Sequence, residues 1–246
     1  MNFSPKISRV SPSSQQFSRT VDFLEIWEQP WKIEQNFYKK TYQYLKYISW
    51  IPGLRMIGIW NTIAMNCAKE SSDIDLYIVT SPGKMWTVRI LVTFIFQLLW
   101  VRKNDKHHAG RFCLSFFSTT DGLDFWKFAL ENDIYLYFWI LYFKPIFDVN
   151  NTYELFIERN SHWADFSLYK EIIQENQQYI KKSKNISEKN ISKIWIFLEK
   201  VLKKIFLPKT LKHYEKIWKP YGIIISDDML KFHNGDIRKQ VRNKSI

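Results

Sequence analysis

Apolar and polar positions along the first half of this chain fall into an alternation of helical and strand periods. Trp31 to Ser49 places Ile33, Phe37, Tyr42, Leu45 and Ile48 on a helical stripe. The stripe stops at Trp50-Ile51-Pro52-Gly53, where Pro and Gly mark a turn. Leu54 to Trp60 (LRMIGIW) is short and apolar and predicts a strand, with a short helix from Thr62 to Lys69 behind it. Asp73 to Val79 (DIDLYIV) alternates and is rich in branched and aromatic residues, a second strand closed by Ser81-Pro82-Gly83. A helix from Met85 to about Val101 follows, then a basic loop, RKNDKHHAGR. Arg111 to Phe117 (RFCLSFF) reads as a third strand.

Past Asp121 the helical period dominates, with aromatic-rich segments near 123–143 and 152–182. Ser192 to Phe206 is the clearest amphipathic helix: Ile194, Trp195, Phe197, Leu198, Val201, Leu202, Ile205 and Phe206 form a stripe, Lys193, Lys200, Lys203 and Lys204 face away, and Pro208 follows the end. Lys181–Lys189 reads as a linker. The Ser- and Gln-rich residues 1–20 predict a poorly ordered start. The pattern therefore predicts an α/β (α+β) core over residues 30–120 and a mostly helical region over 121–246.

Length and composition fit a globular chain: 246 residues, 46% hydrophobic and 24% charged. Seven glycines and 17% aromatics favour a helix-rich fold with large ring contacts over an open all-β one. The runs Met85–Val101 and Ile134–Phe147 are too short or too charged to span a membrane, and the second reads as a buried helix. No signal peptide is visible. Cys67 and Cys113 sit among apolar residues, so buried thiols in a reducing, cytoplasmic setting are expected. A net charge of +12 favours polyanionic partners, namely a nucleoside triphosphate, RNA or an anionic membrane surface, with solvated helix faces as the plain alternative.

Asp73 and Asp75 are two apart on a predicted strand and so project from one face, with Ile74 and Leu76 packing behind. Paired carboxylates repel unless a cation lies between them, and Mg²⁺ (or Mn²⁺) is the natural choice with phosphate oxygens completing its shell. Upstream, a strand runs into Asn61-Thr62 and a short helix, an anion-binding nook facing the aspartates. Ser72 lies beside the pair. Lys84 and Arg89, on the helix after the strand, are placed to touch phosphates, although a helix-surface ion pair serves Arg89 equally well.

The segment SDIDLYIV, preceded by strand, turn and hydroxyl, resembles the signature of the nucleotidyltransferase superfamily (DNA polymerase beta-like fold), and the longer stretch IPGLRMIGIW to TVRILV is similar to bacterial nucleotidyltransferase-domain proteins. The resemblance implies a small mixed sheet flanked by helices. It also implies a metal and catalytic pair at Asp73 and Asp75, and nucleotide contacts from Asn61, Thr62, Ser72 and Lys84. The activity implied is transfer of a nucleotidyl group from an NTP to a hydroxyl on protein, RNA or a small molecule. Two positions depart from the family: Asn61-Thr62 replaces Gly-Ser, and the strand RFCLSFF offers Cys113 and Ser115 where a third carboxylate belongs. Ser115 takes that third position, and Asp121 and Asp124 lie just beyond the strand. A degenerate nucleotide- or RNA-binding member and a protein-interaction scaffold are the rival readings. His107 and His108 read as part of an exposed basic loop, the amphipathic helix 192–206 as a cover for the chain's own core, and Asp227, Asp228, His233 and Asp236 as structural, around a turn at Asn234-Gly235.

Overall fold

A computed structural model describes residues 9–182, 193–216, 222–232 and 236–245. His233, Asn234, Gly235 and most of Lys181–Lys189 lie outside them. Nine helices are described: α1 (Ser14–Leu24), α2 (Lys32–Leu45), α3 (Asn61–Ala64), α4 (Met85–Leu98), α5 (Ile134–Leu141), α6 (Thr152–Asn160), α7 (Lys170–Asn176), α8 (Lys193–Lys216) and α9 (Arg238–Ser245). Seven strands are described: β1 (Leu54–Ile59), β2 (Ile74–Thr80), β3 (Phe112–Thr119), β4 (Lys144–Asp148), β5 (Lys181–Lys182), β6 (Ile223–Ile225) and β7 (Met229–Phe232). They form one mixed sheet in the order β5-β4-β1-β2-β3-β7-β6. β2 and β3 run parallel with α4 as their crossover, while β1 is antiparallel to both β2 and β4.

Helices cover both faces, which is why every residue of β2 is buried. Ile74, Leu76 and Ile78 join Val88, Val92 and Phe96 of α4 in one core, and Leu202 and Phe206 of α8 pack at its margin. Tyr77 and Val79 point the other way, into a core with α5, Phe116 and Trp60. Gly58 in β1 makes room for the tip of the Phe143 ring, since a Cβ there would fall 1.9 Å from Phe143 Cζ.

The elements expected between Trp31 and Phe117 are present within a few residues of their expected bounds, except the helix after β1, which is a single turn. The second half departs more. The apolar run 134–147 is two elements, the wholly buried α5 and the interior strand β4 beside β1. Strands β6 and β7 extend the sheet from β3, so the change of character at Asp121 marks no break in it. Ser14 begins a helix held by a Ser13–Gln16 capping box, so residues 9–20 are ordered. Helix α8 continues through Pro208 to Lys216; the proline sits on the exposed face, where a freed carbonyl can reach water. No helix among the described residues is long and apolar enough to cross a membrane.

Candidate metal and nucleotide site

The site forms where β2 begins. Asp75 shares a face with Tyr77 and Val79, looking toward the α5 layer, and Asp73 precedes the strand. In the parallel pairing Asp75 lies opposite Cys113. Asp73, Asp75 and Cys113 each offer an atom within 4.8 Å of the others, a group the size of a cation site.

The two carboxylates are differently placed. Asp75 is 9% exposed, and its Oδ2 accepts a 2.7 Å hydrogen bond from Asn61 Nδ2. Burial and the neighbouring Asp73 charge push its pKa up to about 6, against the opposing hydrogen bonds from Asn61 and the Cys113 thiol and the Lys103 charge. Asp73 is more open and pairs with Lys103 Nζ at 2.7 Å. Burial works against the Lys103 ammonium, but its bond to Asp73 and the charges of Asp73 and Asp75 outweigh this and raise its pKa. Burial, and then Asp75, hold the Cys113 thiol protonated. The pair is therefore a carboxylate couple partly neutralised by one ammonium and one amide.

Asn61 carries the bend between β1 and α3 with φ at 59°, the left-handed region that Asn tolerates well. Its amide thereby turns onto Asp75, and its Oδ1 is buried with no partner among the described residues. Helix α3 is a single turn, too short to sum much of a dipole, so the nook expected before it is weak. Thr62 is exposed, and Ser72 Oγ accepts from Lys69 N in a local turn. Lys84 is at the other end of β2, roughly 17 Å away at about 3.3 Å per strand residue, with its ammonium 5.1 Å from the Trp195 ring. It is not part of this site.

The third position also changes. Between Asp75 and Tyr77 of β2 there is one residue, but between their partners Cys113 and Phe116 of β3 there are two. This bulge ends the alternation, so Phe116 rather than Ser115 stands beside Tyr77. Asp121 and Asp124 follow the far end of β3, Asp121 in the turn after Thr119 and Asp124 accepting from Trp126 N. No third carboxylate joins the pair among the described residues. Lys103 is the participant sequence reasoning missed; the signal was a basic loop returning toward an acidic pair. Asp227 pairs with Lys203, and Asp236 with Arg238 and Lys231, which is the structural role expected of them.

None of the family models, curated proteins or solved structures compared with the chain matches it. The likeness to nucleotidyltransferases rests on the sequence signature alone.

Proposed function

We propose that this chain is a nucleotidyltransferase-like protein of the cytoplasm that binds a nucleoside triphosphate together with a divalent cation held by Asp73 and Asp75. The observation carrying this is the clustering of Asp73, Asp75 and Cys113 donor atoms within 4.8 Å. Two carboxylate oxygens suit Mg²⁺ or Mn²⁺, which would take its other ligands from water and phosphate. Cys113, held as a neutral thiol, contributes hydrogen bonding to Asp75 and not a hard ligand. For the ion to enter, Lys103 must leave Asp73. The bound cation would neutralise the pair and orient a triphosphate.

Transfer of the nucleotidyl group to a hydroxyl on protein, RNA or a small molecule is the second reading, favoured by two carboxylates meeting at the start of one strand. Against it stands Cys113 opposite Asp75, where a carboxylate base is wanted. Thermal unfolding with each NTP, with and without Mg²⁺ or Mn²⁺, tests the binding reading. The divalent ion should add to any stabilisation by the NTP alone, and that increment should vanish in Asp73→Ala and Asp75→Ala. No increment with any NTP and ion sinks the proposal, whereas label moving from a labelled NTP onto protein or RNA favours the transfer reading.

A further inference from the structure

On the α4 and α8 side of β3, adjoining Lys103 and Cys113, lies a cavity of about 440 Å³. Arg89 of α4 lines it, and the guanidinium is sandwiched by rings, 4.4 Å from the Phe232 centroid and 5.4 Å from that of Trp86. Its Nη1 is buried and makes no hydrogen bond, and among the described residues no carboxylate pairs with it. Burial, and then Arg102, lower its pKa to about 10. The residue is half-buried, and a guanidinium nitrogen shielded from water without a counter-charge is costly, a penalty that an anion would remove. Arg102, Lys103 and Lys209 line the same cavity, against the single carboxylate of Asp105.

We propose that this cavity binds the phosphate groups of a polyphosphate ligand, with Arg89 as its inner anchor and Lys209 of α8 closing it from outside. Arg89, Arg102 and Lys209, beside a Lys103 already paired with Asp73, exceed what a single carboxylate ligand would balance, and a guanidinium fork matches phosphate oxygens two at a time. The cavity adjoins the metal pair, sharing Lys103 and Cys113 with its surroundings, and needs no cation there.

Calorimetric titration with pyrophosphate, in EDTA throughout, tests it. Saturable binding is expected, weakened at least tenfold in Arg89→Gln and several-fold in Lys209→Gln. Lys39→Gln, on the exposed surface of α2, removes the same charge and should change nothing. ATP should bind without metal and adenosine should not, which assigns affinity to the phosphates. Unchanged affinity in Arg89→Gln, or an equal loss in Lys39→Gln, overturns the site. If Arg89→Gln fails to fold, the Lys209→Gln titration decides, and unchanged binding there overturns it too. Because no divalent ion is present, failure here leaves the metal reading standing, and the reverse also holds.

Discussion

Asp75 is the residue where fold and chemistry pull against each other. Its carboxyl ionises near 3.9 in an unfolded chain and near 6 in this fold, where burial and Asp73 oppose the charge. Between those values the folded protein retains a proton that the unfolded chain has released, so stability falls as pH rises through this window and stays lower above it. An Asp75→Asn variant never ionises and still offers an oxygen to Asn61 Nδ2. Its unfolding free energy relative to the parent, from denaturant titration in EDTA, should be higher at pH 7.5 than at pH 4.5 by an amount on the order of 2 kcal/mol. A difference that stays flat with pH would show that Asp75 is not under this strain.

At the scale of elements, one carboxylate ties α8 to the sheet. Glu199 accepts from Trp86 N at 2.9 Å and from Thr87 N at 2.8 Å, capping α4 from another helix. Orphan N–H groups of a first turn are satisfied and the helix dipole is met by a negative charge. Glu199→Ala should lower stability by about 1–2 kcal/mol in a denaturant titration, with faster hydrogen exchange at the Trp86 and Thr87 amides; Glu199→Gln should recover part of it. Unaltered exchange there would dismiss the cap. Sequence could not show this contact, because 112 or more residues separate the partners.

What sequence could show was where one face differs from the other. β2 and α4 were legible because Ile74, Leu76 and Ile78 alternate with Asp75 and Tyr77, and because a turn separates them from the next apolar stretch. α5 and β4 were not separable, since every residue of both is buried and a wholly buried run has no period to read. Asp73, Asp75 and the left-handed Asn61 were legible as a local pattern. The β3 bulge was not, because pairing register is a property of two strands, and so strict alternation put Ser115 on the site's face of β3 where the register sets Phe116 beside Tyr77.

On the scale of the whole molecule, the two halves of the chain build one sheet: β4 flanks β1, and β7 flanks β3. The second half therefore completes the frame around the aspartate pair, and α8 contributes Lys209 and Phe206 to the cavity beside it. Lys103 reaches both places, bonded to Asp73 while lining that cavity. On the proposed function, a cation arriving at Asp73 would displace the ammonium, which would then add its charge to the neighbouring cluster, and an anion arriving in the cavity would draw the same ammonium away and uncover Asp73. Each ligand thus favours the other's arrival, and by thermodynamic reciprocity the two factors are equal. Pyrophosphate should tighten Mn²⁺ binding, and Mn²⁺ should tighten pyrophosphate binding by the same ratio, about fivefold or more for a coupling of about 1 kcal/mol. In Lys103→Met both ratios should fall close to that of direct ion–phosphate contact alone, leaving a protein that holds its two ligands without relaying one to the other.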